Sequence, residues 1–131
     1  MHTSRVYRVS NPNSATPLSR GHIPRIGYLS LYPLLLQLLP VNSSRLESIL
    51  DIIEDDEQLW TPHGLRSLSK KDPFYREANA PGDEPYWRGP IWININYLTL
   101  SSLYHYGKND GPYQVNNQER LVDYQRTYRS Y

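Results

Sequence analysis

Residues 26–40, IGYLSLYPLLLQLLP, are apolar at nearly every position rather than along one stripe. A helix that is apolar all round is normally buried on more than one side, so the rest of the chain must surround it. The run is about half the length that a membrane span needs and carries Pro33, so it reads as a buried helix rather than a bilayer-crossing one. Pro33 lies within the first turns, where a missing N–H is tolerated. Pro40 marks the expected end.

The chain that must do this surrounding is small and polar. It has 131 residues, of which 38% are hydrophobic, and its mean hydropathy is −0.68. A chain of this length makes one modest domain at most, and small domains run close to the margin of stability. The net charge of +1 gives no electrostatic reason to expect nucleic acid or an anionic membrane surface as a partner. Without cysteine, disulfides and thiolate metal sites are excluded. The aromatic residues are 12 Tyr and 3 Trp against 1 Phe. Tyrosine and tryptophan combine an apolar body with a polar handle, which suits wet grooves.

Residues 1–21 are rich in Ser, Pro, Asn and Arg and show no period, so a disordered leader is expected there. No secretory signal is expected in residues 1–25, which lack an apolar run. After Pro40, Leu46, Ile49, Leu50 and Ile53 repeat at i, i+3, i+4, i+7 and predict an amphipathic helix. Ser43 or Ser44 can cap it, and Glu47 stands three residues after Ser44 as in a capping box. Asn42-Ser43-Ser44 is also an N-glycosylation sequon, which makes Asn42 a candidate modification site.

Residues 58–90 form a long irregular connection with five prolines and three glycines. Loops of this length are usually functional or disordered; one this aromatic is expected to be ordered and to line something. Residues 91–107 then predict a helix. Ile91, Ile95, Leu98 and Ser102 make one face and Trp92, Asn96, Thr99 and Leu103 the next, with Gly107 as C-cap. The β-branched run Ile91, Ile93, Ile95 leaves strand as the minority alternative. A last helix puts Leu121, Tyr124, Tyr128 and Tyr131 on one face. The fold class expected is all-α, with helices joined as hairpins, as in an α-solenoid or an α/α toroid.

The titratable groups do not assemble a familiar catalytic device. His2, His22, His63 and His105 lack metal-ligand spacing, there is no phosphate loop or dinucleotide fingerprint, and neither a metal nor a cofactor is expected. His105 is expected to cap or pack at its helix end. Glu54, Asp55, Asp56 and Glu57 read as a solvated helix edge. Asp83 and Glu84 are sequence neighbours and cannot easily flank a bound sugar, as a pair of hydrolytic carboxylates must; either can still hydrogen-bond a ligand. The Tyr/Arg alternation of the last residues superficially matches a nucleic-acid stripe, but packing of one tyrosine face accounts for it.

The stretch PYWRGPIW, residues 85–92, is the one concentration of chemistry. Tyr86 and Trp87 offer faces that can stack on the C–H face of a sugar ring. Arg88 offers a rigid fork of donors for hydroxyls. Gly89 permits close backbone approach, and Pro90 suits the first turn of the following helix. Trp92 is expected to anchor that helix in the core.

Residues 27–40 (GYLSLYPLLLQLLP), 59–69 (LWTPHGLRSLS), Phe74-Tyr75 and above all 85–98 (PYWRGPIWININYL) together make the chain, from about residue 22 to residue 131, resemble the catalytic domain of glycoside hydrolase family sixty-three. YWRGPIW alone is shared with other α/α-toroid glycosidases; the order and spacing of the blocks are specific. Residues 1–21 show no likeness. The resemblance implies part of an (α/α)6 barrel and hydrolysis, with inversion, of a terminal α-linked glucose from the N-glycan precursor in the endoplasmic reticulum. It implies an oligosaccharide-binding wall made by Tyr86, Trp87, Arg88 and Gly89, bordered by Arg66 and Ser67. It also implies a general acid aspartate upstream and a general base glutamate downstream, neither of which has a matching position here. The chain is therefore expected to be a partial sequence, inactive alone, with the remainder of the barrel as its natural partner. The alternative is a non-catalytic helical module that binds glycan or protein through the aromatic loop.

Overall fold

The computed structural model describes residues 4–5 and 22–129. Four helices carry the fold: α1 (Tyr28–Leu35), α2 (Ser44–Glu54), α3 (Ile93–Lys108) and α4 (Gln114–Arg129). Besides them, β1 (Ser4–Arg5) pairs antiparallel with β2 (His22–Ile23), Ser4 opposite Ile23 and Arg5 opposite His22. The leader expected over 1–21 otherwise lies outside the described residues. The chain is all-α in its packed part, as expected.

α1 begins at an extended Gly27, whose N–H donates to Ser30 Oγ (3.3 Å) while Ser30 N–H returns to Gly27 O (2.9 Å). It ends well before Pro40. Leu38 N–H donates to Pro33 O and Gln37 N–H to Leu34 O, with Gln37 at φ +54°. This is a Schellman closure with glutamine in the left-handed position that glycine usually takes. Leu31, Leu34 and Leu35 are buried, but Leu29 is 66% and Leu38 68% exposed. Both α2 and α3 pack against α1, but with Leu29 and Leu38 open the described residues do not surround the segment as expected.

α2 buries Leu46, Ile49, Leu50 and Ile53, the predicted stripe. Its N-cap is Ser43, whose Oγ accepts from Arg45 N–H (3.3 Å). With the cap at Ser43, Glu47 stands one residue past N3, so the box predicted from Ser44 and Glu47 does not form. α3 buries Ile95, Asn96, Thr99, Ser102, Leu103, Tyr106 and Gly107, merging the two predicted faces. Gly107 does not cap it. The helix continues to Lys108, and Gly107 is the point where α4 approaches: a Cβ there would stand 3.1 Å from Gln118 Cγ, and Gln118 Nε2 donates to Gly107 O (2.6 Å). α3 and α4 are joined through residues 109–113 and pack on each other, the geometry a short connection dictates. On α4, Leu121 packs partly against the core; the side chains of Tyr124, Tyr128 and Tyr131 lie outside the described residues.

Leu59 and Leu65 of the long connection enter the same core. Each apolar side chain fully buried there contributes about 1.5–3 kcal/mol. Among the described residues no helix is long and apolar enough to cross a membrane.

Candidate functional site

The connection 58–90 is fixed by a buried polar latch at the N-terminal ends of α1 and α3. Tyr28 Oη donates to Leu65 O (2.6 Å) and accepts from Trp92 N–H (3.0 Å). Asn96, fully buried, accepts Leu65 N–H on Oδ1 (2.7 Å), and its Nδ2 donates to Trp92 O (2.8 Å) and reaches Leu65 O and Tyr28 Oη. Burial raises the Tyr28 phenol above its ordinary value, and the hydrogen bonds from Trp92 and Asn96 offset this in part. Two short bridges, Gly27 with Leu68 and Arg66 with Ile91, tie the connection to the starts of α1 and α3. Gly27 is required by proximity: a Cβ there would meet Ser67 O at 2.6 Å.

Ser67 is the hub of the loop. Its buried Oγ accepts Gly89 N–H (2.9 Å), its N–H donates to Pro90 O (3.1 Å), and its carbonyl accepts Tyr28 N–H (3.1 Å). Gly89 sits at φ +141°, and a Cβ would stand 2.9 Å from the Tyr75 ring. Arg88 O accepts Arg76 N–H, and Arg88 Nη1 donates to Ala78 O (2.9 Å) and Glu77 O (3.3 Å). Arg88 thus clamps the limb 74–78 to the limb 85–90. Its guanidinium also lies 5.3 Å from the Phe74 ring centroid, and that of Arg25 at 4.2 Å. Arg25 is in turn ion-paired with the buried Asp72 carboxylate.

Of the six residues predicted for the site, Ser67 and Arg88 hold the loop together, and the other four divide between two adjoining features. Tyr86 and Trp87 belong to an aromatic cluster. Trp87 and Trp92 stack with centroids 4.7 Å apart and planes 13° from parallel. Tyr86 meets both edge-on, and Tyr28 meets Trp87 edge-on at 6.0 Å. Trp92 Nε1 donates to Tyr86 O (3.2 Å). Tyr86 takes φ +43°, a left-handed conformation that is costly for a bulky residue. Trp87 remains 46% exposed. Trp92, expected as a core anchor inside the helix, is instead the residue at the N-cap of α3, half-buried between the core and Trp87. Pro90 accordingly precedes the helix rather than opening it.

The second feature is a groove of about 440 Å³ lined by Arg66 and Gly89 together with Thr61, His63, Tyr75, Arg76 and Glu84. Arg66 is held by its Nη1, which donates to Asp56 O (2.7 Å) and Gln58 O (3.3 Å), and its guanidinium faces the Tyr75 ring. Its buried Nε has no hydrogen-bond partner among the described residues. Among the described residues that line the groove, Glu84 is the one carboxylate. Asn96, Tyr28 and Tyr75, which build the site's framework, are not among the site residues expected from sequence. A polar Asn on a helix face otherwise destined for the core was the available signal. His105 packs edge-on against Tyr106 at 5.0 Å and its carbonyl accepts Asn109 Nδ2 (2.7 Å), so it does sit at its helix end as expected.

The sequence pattern of the glycosyl hydrolase family 63 C-terminal domain matches residues 3–127. The chain belongs to glycosyl hydrolase family 63. It is 48% identical over 92 residues to a mannosyl-oligosaccharide glucosidase of Arabidopsis thaliana, covering 70% of this chain and 11% of that protein. A probable mannosyl-oligosaccharide glucosidase of Schizosaccharomyces pombe is 52% identical over 89 residues, 67% of this chain and 10% of its own length. Alpha-glucosidase 2 of Arabidopsis thaliana is 43% identical over 100 residues, 76% of this chain and 12% of its own. The chain therefore spans about a tenth of the length of these relatives.

Proposed function

We propose that the chain is the sugar-facing segment of a mannosyl-oligosaccharide glucosidase, which removes the terminal α-linked glucose of the N-glycan precursor with inversion. In this reading Trp87 offers its open face to a glucose ring, and Tyr86 extends that surface. Gly89 lets the backbone close on the ligand. Arg66 borders the groove, and Ser67 holds Gly89 in place. Arg88 contributes its remaining N–H groups, since Nη1 is bound to loop carbonyls. The oligosaccharide and the remainder of an (α/α)6 barrel are the partners, and the lumen of the endoplasmic reticulum is the location.

The observation that carries the proposal is the pairing of family membership with an exposed tryptophan seated on a fixed aromatic stack beside a groove. Inverting glycosidases require two carboxylates on opposite sides of the scissile bond, roughly 6.5–9.5 Å apart. Among the described residues the groove offers Glu84 alone, so the reading assigns the catalytic pair to other parts of a parent enzyme. The chain is incubated with a glucose-capped oligosaccharide and the products are followed. The proposal expects binding that Trp87→Ala weakens about tenfold or more, and no glucose release. Release of β-glucose by the purified chain would overturn the assignment of the carboxylates. Binding indifferent to Trp87→Ala would overturn the sugar wall.

A further inference from the structure

We infer that Asn42 carries an N-linked oligosaccharide, at the end of the molecule away from the sugar groove. The inference rests on the lumenal placement proposed above. Asn42-Ser43-Ser44 is the single Asn-X-Ser/Thr sequon in the chain with X other than proline. Asn42 is exposed, in the turn between α1 and α2. The capping bond of α2 is made by Ser43 Oγ, so the helix cap does not depend on the hydroxyl of Ser44 that the sequon requires.

The fold fixes where such a glycan would stand. Val41 O would lie 3.1 Å from a Cβ on Gly111, in the α3–α4 connection, and Tyr106 Oη exchanges hydrogen bonds with Leu39 N–H and O. The turn that carries Asn42 is thus packed on the C-terminal end of α3. The latch and the aromatic stack lie at its N-terminal end, through Trp92 and Asn96. The 16 residues of α3 separate its two ends by about 22 Å. Asn42 therefore stands by the end of α3 opposite the latch.

In the modification the Asn42 side-chain nitrogen attacks C1 of the reducing-end sugar of a lipid-diphosphate-linked oligosaccharide. The N–C1 bond forms, the bond from C1 to the diphosphate oxygen breaks, the lipid diphosphate leaves, and the amide proton passes to a base on the transferring enzyme. No redox partner is needed.

The test is translation of the whole chain behind a cleavable secretory signal with microsomes present, delivery being verified by signal cleavage and protection from added protease. The added signal makes the result independent of the chain's own address, so failure of this site and failure of the proposed location are read separately. We expect one upward mobility step, removed by peptide-N-glycosidase, which leaves aspartate at position 42. Asn42→Gln and Ser44→Ala abolish it; Ser43→Ala, which removes the cap and keeps the sequon, retains it. Acceptor sites are modified on the entering chain, so a variant that folds poorly still reads out. A protected chain with no mobility step, or a step that survives Asn42→Gln, overturns the inference.

Discussion

Tyr28, Asn96 and Gly89 are small in number and do the positioning on which the site depends. Tyr28→Phe removes one hydroxyl that serves Leu65 O, Trp92 N–H and Asn96 Nδ2, and leaves buried polar atoms short of partners. A loss of about 1–3 kcal/mol is expected by denaturant unfolding. Burial raises the phenols of both Tyr28 and Tyr106, with the hydrogen bonds of Trp92 and Asn96 opposing it at the first and that of Leu39 at the second. A raised folded-state pKa contributes stability that is complete below the unfolded value of about 10 and disappears as pH rises through the folded value. Melting temperature is therefore expected to fall above about pH 10, and to fall less in Tyr28→Phe relative to its own neutral value. An alkaline profile unchanged by the substitution would contradict this. Gly89→Ala forces a side chain into φ +141° and against the Tyr75 ring, at about 1–3 kcal/mol, measurable by thermal unfolding with loss of sugar binding. The PYWRGPIW motif was legible at this scale because its residue types are rare in combination. The framework was not: nothing local marks Tyr28 among 12 tyrosines, since its partners lie 37, 64 and 68 residues away.

Elements show which patterns survive translation into structure. The stripe of α2 was legible because a period-3.6 apolar face has one way to bury itself. Leu50→Ala, which truncates a fully buried member of that stripe, is expected to cost about 2–5 kcal/mol in unfolding free energy. The end of α1 was illegible. A C-terminal closure is normally announced by glycine at the left-handed position, and here Gln37 occupies it, so the first visible stop was Pro40. Gly107 misled in the opposite direction: a glycine near the end of a helical pattern reads as a cap, whereas this one admits Gln118 of α4. The order of the connection 58–90 followed from its aromatic content. Its anchoring by Ser67 and Asn96 did not, because those bonds join the connection to α3 and to its own far limb.

Across the whole molecule, the apolar surface left open is the main departure from a self-sufficient domain. Leu29 and Leu38 in and just after α1, Ile93 and Tyr97 on α3, and Val115 on α4 are all well over half exposed. Open apolar side chains in this number favour association, and the chain spans about a tenth of the length of the relatives it matches. The isolated chain is expected to self-associate with rising concentration in sedimentation velocity. Leu29→Glu combined with Leu38→Glu should suppress this while changing unfolding free energy by only about 0.5 kcal/mol, as surface substitutions do. A chain that stays monomeric at high concentration without these changes would contradict the reading. The all-α class and the family blocks were legible at this scale; the open side chains were not, because an apolar run such as 26–40 does not say which of its faces a neighbouring helix covers. The central claim, a sugar wall without its catalytic pair, is tested most directly by one NMR titration of the ¹⁵N-labelled chain with a glucose-capped oligosaccharide, following the tryptophan indole resonances and the anomeric region together. The account predicts a saturable shift of the Trp87 indole and no free glucose signal. An indole that stays in place, or the appearance of β-glucose, would contradict it.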